Sequence, residues 1–523
     1  METVTLSKGE FDTLIAMRDE AFAERETLKS QLKTVTVERD LLQEKLKAFL
    51  RKLFDAKSEV RGTDQKDLFF NEAETLAPAG TPVAEEAPAE IEIPAHTRKK
   101  RGRKPLDPNL PREVVRHELP ESERVCAHDG SALVEIGVEI SEQLDIVPQQ
   151  VRVIQHQRVK YACPCCDESI KVTPVPARII PKGLLTEAAL AWVVTSKYMD
   201  ALPLYRQAAL LGRFGGDLSR NTLAASIVRV GEAVQPIINL LRDHLLDADL
   251  VHGDETTIQV LKEPGKKAQT KSYLWAQATG SGPPIRLFGY APGRGGNHAR
   301  DLYAGIKPGA VLITDGYEVY GGIAEASGLT HLGCWAHCRR YFVEAEAVIP
   351  KAARNPQQLA TQFIAIIGEL YAVESRARDL TPEQRHIPRQ EYSRPILDRI
   401  EGMLLAHLHS VVPGSLLGKA LHYLSAQWPK LKRYVENGAW PIDNNLCENA
   451  IRPFVIGRRN WLFADTVAGA NASANLYSLI ETCKANRINP YGYMQSLFQK
   501  LPQAITADDF EALLPWHLAT PAT

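Results

Sequence analysis

Between residues 250 and 315, three apolar segments, a short polar segment and a fourth apolar segment follow one another, and this order constrains the fold more than any other feature. Residues 250–260, 272–278 and 285–290 have the length and the β-branched and aromatic content of strands. Residues 297–304 fit a short helix, and 310–314 a compact buried strand. Asp254 lies inside the first strand and Asp315 directly follows the last. Acidic side chains on neighbouring strands suit hard divalent cations, which prefer oxygen ligands. Two such cations about 3.5–4 Å apart can act on both the attacking and the leaving oxygen of an in-line displacement.

Three strands, a helix and a fourth strand ending in Asp is the order of an RNase H-like α/β core. A third carboxylate is then expected from a downstream helix. The segment Asp443-Asn444-Asn445-Leu446-Cys447-Glu448 supplies it. Asp443 or Asn444 can cap the helix, and Glu448, just over one turn in, can face the cations. The gap from Asp315 to Glu448 is far too long for a loop. Residues 346–438 are mostly helix-forming and read as a helical insertion between the two parts of the core, 246–345 and 439–500, with 501–523 as a C-terminal tail. Glu255 points to the opposite face of the strand from Asp254. Arg452, Arg458 and Arg459 are candidate phosphate contacts, and Trp461 is a candidate for stacking on a displaced base or for core packing. His337, Asn444 and Asn449 are candidates for orienting groups around the carboxylates. Cys334 and Cys338 bracket His337, so a second metal site there is weighed against simple packing.

The part before the core is modular. Residues 10–60 carry a heptad seam with Arg25, Leu32, Arg39, Leu46 and Leu53 at a and Leu28, Val35, Leu42 and Phe49 at d. This predicts a coiled coil that joins copies of the chain into a homodimer or larger assembly; a helix packed on its own protomer is the alternative. Residues 61–97 are acidic and rich in Pro and Ala, which predicts a disordered linker. Net charge is −1, which excludes a uniformly basic nucleic-acid coat but not a local basic patch. Such a patch follows at 98–111, where Arg101, Gly102, Arg103 and Lys104 resemble an AT-hook, an extended arm for a narrow minor groove. Four of the eight cysteines cluster between 126 and 166, with no secretory leader before them. That reads as metal binding before disulfides. In a β-rich module over 112–180, Cys126, His128, Cys163 and Cys166 are the candidate ligands of one structural Zn²⁺, with Asp129 as a substitute for His128. Over 181–245 the pattern is helical, with Ser219 as N-cap of a helix opening on Arg220 and Asn221; a helix, a glycine turn and a second helix fit a helix-turn-helix-like DNA-binding segment. No stretch approaches 18 uncharged apolar residues, so no membrane span is expected and the setting reads as cytoplasmic. The whole is a multidomain α+β chain.

Four motifs then occur in order: His252-Gly253-Asp254-Glu255-Thr256, Thr314-Asp315-Gly316-Tyr317, Gly333-Cys334-Trp335-Ala336-His337-Cys338-Arg339-Arg340, and Asp443-Asn444-Asn445 with Glu448-Asn449-Ala450-Ile451-Arg452-Pro453. The last continues through Gly457-Arg458-Arg459-Asn460-Trp461. With the modules before them they resemble DDE transposases of the bacterial insertion sequence 66 family over nearly the whole chain. The first metal pair departs from the pattern, with Cys-x-His where Cys-x-x-Cys would be plainer. The resemblance implies that Asp254, Asp315 and Glu448 are the catalytic triad and hold two Mg²⁺ or Mn²⁺ ions. It implies hydrolysis of a phosphodiester at the element's end, then joining of the freed 3′-hydroxyl to target DNA. It also implies terminal repeats, target DNA and small accessory proteins of the same element as partners, in a bacterial, nucleoid-associated setting. A nuclease that cuts without joining and a DNA-binding regulator with an inactive core are the competing readings. The modules for holding paired DNA ends count against the first, and the presence of all three acids against the second.

Overall fold

The structure, a computed structural model, describes residues 150–162, 170–172, 176–350 and 353–518, with scattered positions between Gly9 and Gln43. From residue 151 on, these belong with residues 1–55 to one compact unit. The proposed zinc ligands Cys126, His128, Cys163 and Cys166, the arm with Arg101, Gly102, Arg103 and Lys104, and the linker at 61–97 lie outside the described residues. The described N-terminal positions are helical, and Leu28, Leu32 and Val35 of the heptad seam are exposed.

Strands β1 (Lys160–Ala162) and β2 (Ile170–Val172) pair antiparallel and bracket residues 163–169. Within the module expected to be β-rich, residues 150–159 form no strand, and β1 begins only at Lys160. Val151, Val153, Ile154 and Val159 are exposed, so no buried face holds residues 151–159 in a sheet.

Four helices follow: α1 (Glu187–Tyr198), α2 (Leu204–Arg213), α3 (Arg220–Ala233) and α4 (Gln235–Leu246). Ser219 caps α3 as the sequence predicts, accepting the Thr222 N–H. The central sheet then forms from β3 (Leu250–Lys262), β4 (Lys271–Thr279), β5 (Arg286–Ala291), β6 (Val311–Ile313) and β7 (Thr330–Leu332). Helices α5 (Gly296–Tyr303) and α6 (Glu318–Ala326) make its crossovers. The order is β5-β4-β3-β6-β7. The first three strands are antiparallel neighbours, and β6 and β7 run parallel to β3. β6 reads Val-Leu-Ile and is wholly buried, as a parallel strand covered on both faces must be.

The insertion comprises α7 (Trp335–Ala347), α8 (Leu359–Arg376), α9 (Pro382–Pro388), α10 (Arg394–His407) and α11 (Leu416–Leu431). It has a hydrophobic core of its own around Phe342, Phe363, Leu370, Ile400 and Leu424. The chain returns through α12 (Asn445–Trp461), β8 (Ala464–Thr466), α13 (Val467–Ala485), α14 (Pro490–Lys500) and α15 (Ala507–Glu511). β8 pairs parallel with the far end of β3, Val260 opposite Ala464.

Three placements differ from the sequence reading. The insertion, expected from 346, already includes α7, whose Trp335, Cys338 and Phe342 lie in its core. Helices α1 to α4 share one continuous core with the sheet and with α13 and α14, through Leu190, Leu223, Leu241, Leu479 and Leu497. A Cβ on Gly231 of α3 would press into Ala472 of α13, so this glycine permits the close crossing. The end of the chain is likewise packed, with Phe510, Leu513 and Leu514 buried in that core.

Candidate active site

β3 and β6 set the first two acids by register. His252 lies opposite Ile313 in the parallel pair, and Asp254 and Asp315 each stand two residues further on. Side chains two apart along a strand share a face, so both carboxyls emerge at the same end of the sheet. Asp315 Oδ1 accepts the Tyr317 N–H at 2.9 Å, fixing the turn into α6. Asp254 Oδ1 accepts the Glu255 N–H at 2.8 Å.

The third acid comes from the first turn of α12. Asn444 is the N-cap position, but its side chain does not cap. It reaches back to β3: Nδ2 donates to the Gly253 carbonyl at 2.9 Å, and Oδ1 lies 2.9 Å from His252 Nδ1. An amide oxygen only accepts, so His252 carries its proton on Nδ1. Burial pushes the His252 pKa down to about 4, so the ring is neutral at physiological pH. Asn444 thus bolts the start of α12 to β3 immediately before Asp254.

These contacts bring Asp254, Asp315 and Glu448 together. Asp254 is pushed up to about 8, first by burial, then by the charges of Glu255, Asp315 and Glu448. Glu448 Oε2 meets Arg340 at 3.2 Å, and its Oε1 lies 3.3 Å from His337 Nδ1. Neither Oε1 nor Nδ1 has a hydrogen-bond partner. His337 and Arg340 both belong to α7, three apart, on one helix face. Three carboxyl groups whose charges bear on Asp254, one with a buried oxygen that lacks a hydrogen-bond partner, fit hard divalent cations, because the donors are all oxygen.

Glu255 is nearly fully buried on the other side of the strand, and its side chain is 2% exposed. Tyr320 OH donates to its Oε2 at 2.6 Å, and Arg294 pairs with its Oε1 at 2.5 Å. Burial raises the Glu255 pKa, while Tyr320 and Arg294 pull it back. Arg294 sits in a glycine-rich loop, Gly293-Arg294-Gly295-Gly296, its guanidinium 3.8 Å from the Tyr317 ring centroid. Tyr317 OH donates to the Arg294 carbonyl at 2.8 Å. One arginine therefore ties the residue after Asp254 to the turn after Asp315. Sequence reading missed this brace. Its one local signal was a lone Arg among three glycines.

The insertion closes over the site. Tyr423 packs on Gly316, where a Cβ would meet its ring at 2.5 Å, and Tyr371 OH donates to Asp443 Oδ2 at 3.1 Å. Trp335 Nε1 donates to the Leu431 carbonyl at 2.9 Å. Cys338 is buried in the insertion's core. It takes no part in a cluster around His337. Cys334, at 0% exposure, does, with its Sγ near His337 and Glu448.

The other candidates are spread more widely. Arg458 reaches Thr256 and Thr257 of β3, 3.0 Å from Thr257 Oγ1. Arg452, Arg459 and Asn449 are exposed on α12. Trp461 packs against Gly457, with Lys197 4.4 Å from its ring centroid and Tyr477 beyond. That is the packing alternative of the sequence reading. Arg220 and Asn221 are exposed at the start of α3. No helix among the described residues is long and apolar enough to cross a membrane.

Comparison with known proteins adds family. Residues 182–472 match the profile described as "Transposase IS66 family". Residues 123–167 match "zinc-finger binding domain of transposase IS66", residues 478–516 "IS66 C-terminal element" and residues 41–115 "Transposase C of IS166 homeodomain". The chain is 34% identical to the uncharacterized protein y4qI of Sinorhizobium fredii over 77% of this chain and 75% of that one. It is 32% identical to y4jD of the same organism, over 78% and 81%. With y4hP, also from that organism, identity is 30% over 91% and 88%.

Proposed function

The chain belongs to the IS66 transposase family, and on that premise we propose that it is a metal-dependent DDE transposase that cleaves DNA at the ends of an insertion sequence and joins them to target DNA. The observation that carries this reading is the convergence of Asp254, Asp315 and Glu448 from β3, the end of β6 and α12. The strand order, three antiparallel strands followed by two parallel ones with Asp254 and Asp315 at one end, supports an RNase H-like core.

Asp254, Asp315 and Glu448 are the residues that would hold two Mg²⁺ or Mn²⁺ ions. When bound, such ions activate the attacking oxygen and stabilise the leaving one. The first reaction forms a bond from water oxygen to phosphorus and breaks the bond to the 3′-oxygen, which takes up a proton. The second forms a bond from that 3′-oxygen to a target phosphorus and releases a target oxygen, so phosphodiesters are conserved. His337 and Arg340 hold the Glu448 carboxylate, and Asn444 fixes the helix that carries it. Arg452, Arg458 and Arg459 on α12 are the proposed contacts to the DNA backbone, a reading supported by the exposure of Arg452, Arg459 and the neighbouring Asn449, while Trp461 packs against Gly457. Arg220 and Asn221 at the start of α3, and the arm Arg101-Gly102-Arg103-Lys104, supply further DNA contacts.

The zinc-finger match over 123–167 supports one structural Zn²⁺, for which Cys126, His128, Cys163 and Cys166 are the proposed ligands. The exposed Leu28, Leu32 and Val35 support pairing of the N-terminal helices between copies.

The test is incubation of the purified chain with a labelled duplex of its element's end and Mg²⁺, beside an Asp254→Ala control. A defined 3′ nick, then joined products, both lost in the variant, is the expected result. Nicks without joining support the nuclease reading, and salt-sensitive binding with no cleavage supports a DNA-binding regulator.

A further inference from the structure

We infer that Cys334, His337 and Glu448 form a site for a single thiophilic divalent cation such as Zn²⁺, which shares Glu448 with the proposed carboxylate set and so engages a residue of the reaction. One ligand atom from each residue, a sulfur, a ring nitrogen and a carboxylate oxygen, lies within 4.8 Å of the others. His337 Nδ1 and Glu448 Oε1 are 3.3 Å apart. That is close to the edge of a tetrahedron whose metal bonds are about 2.0–2.2 Å long. Both atoms are buried and lack a hydrogen-bond partner. A buried polar atom left unpaired is costly, and one cation between them satisfies both.

Cys334 is prepared as the third ligand. Its Sγ accepts the Asn444 N–H at 3.2 Å. It occupies the N-cap position of α7, and burial pushes its thiol up to about 12, so it keeps its proton until a cation displaces it. Cation binding therefore releases the thiol proton to solvent and leaves a thiolate held by a backbone donor. One sulfur, one nitrogen and one oxygen suit a borderline-soft ion, whereas Mg²⁺ selects oxygen. Three protein ligands leave a fourth coordination position for a small ligand. Arg340 stays on the other Glu448 oxygen.

The consequence for catalysis rests on the transposase reading; the binding itself does not. The test uses the full-length chain and Co²⁺ as a spectroscopic stand-in for Zn²⁺. The N-terminal cysteines also bind Co²⁺, so the readout is the difference between wild type and variant. The wild type is expected to take up one more equivalent than Cys334→Ala or His337→Gln, with a thiolate-to-cobalt absorption that both variants lose and Cys338→Ala keeps. His337 is partly exposed, so its variant carries the test if Cys334→Ala does not fold. Equal stoichiometry and equal spectra in wild type and His337→Gln overturn the site, as does extra uptake only at large excess of the ion. Asp254→Asn separates the two ideas: it keeps the cobalt band and loses Mg²⁺-dependent cleavage. Undiminished cleavage in Asp254→Asn defeats the transposase reading and leaves the cobalt result standing.

Discussion

His252 and Asn444, 192 residues apart in sequence, meet at 2.9 Å through Nδ1 and Oδ1 in a fully buried pair. The same amide bonds the Gly253 carbonyl, so one side chain fixes the distance between the strand that carries Asp254 and the helix that carries Glu448. Asn444→Ala is expected to orphan two buried groups on β3. At about 1–3 kcal/mol for each unsatisfied group, the loss is about 2–6 kcal/mol, read as a lower urea midpoint with unchanged slope.

Acid should loosen the same joint. The His252 pKa is pushed from 6.5 down to about 4 in the folded chain. Between those values the unfolded chain binds the extra proton, so stability falls as pH drops from about 6.5 towards 4. His331, pushed down to about 3 by burial, acts in the same direction. His252→Gln removes one of the two contributions. Its urea midpoint should fall less than that of wild type between pH 7 and pH 5.

Asp254 gives the opposite sign. Its folded pKa of about 8 lies above the model-peptide value of 3.8, so without a cation its contribution to stability declines as pH rises from about 4 through 8. A divalent cation must displace that proton. The rise in melting temperature caused by Mg²⁺ should therefore grow as pH rises through about 8 and vanish in Asp254→Asn. A Mg²⁺ effect that is flat with pH would contradict this.

Arg294 keeps a fourth carboxylate quiet. Arg294→Gln leaves the buried Glu255 charge uncompensated beside Asp254, costing about 1.5–3 kcal/mol for the lost charged hydrogen bonds. Asp254 should then rise further, moving the pH profile of cleavage alkaline and raising the Mg²⁺ needed for half-maximal rate. Adding Glu255→Gln to that variant should restore the Mg²⁺ requirement. Separate additive losses would show that the pair is merely structural.

Local pattern carried much of this architecture. Strands β3 to β6 came from periodicity and β-branched content, the α3 cap from Ser219, and Glu448 from its place one turn past a cap, whereas the three-residue β7 and β8 were too short to show a pattern. What escaped was set by partners far along the chain. Asn444 reads as a cap or an orienting group, but its bonds to His252 and Gly253 need β3 beside it, and Glu255 reads only as facing away from Asp254, with nothing to announce Arg294 and Tyr320 as its partners. His337 and Arg340 share a helix face, but which acid they serve depends on where the returning α12 lands. The separateness expected of residues 181–245 failed because amphipathic helices do not declare which apolar surface they will cover. Here that surface belongs to α13 and α14, more than two hundred residues later.

That α12 and β8 close the sheet only after the whole insertion has been made has a consequence for timing. A chain emerging from the ribosome presents Asp254 and Asp315 long before Glu448 exists, and β3 waits with its far end unpaired until Ala464 arrives. On the transposase reading, the nascent polypeptide therefore lacks one of its three proposed catalytic acids through most of its synthesis. Any copy of the gene broken within the insertion encodes a protein with two of the three acids and no closing helix.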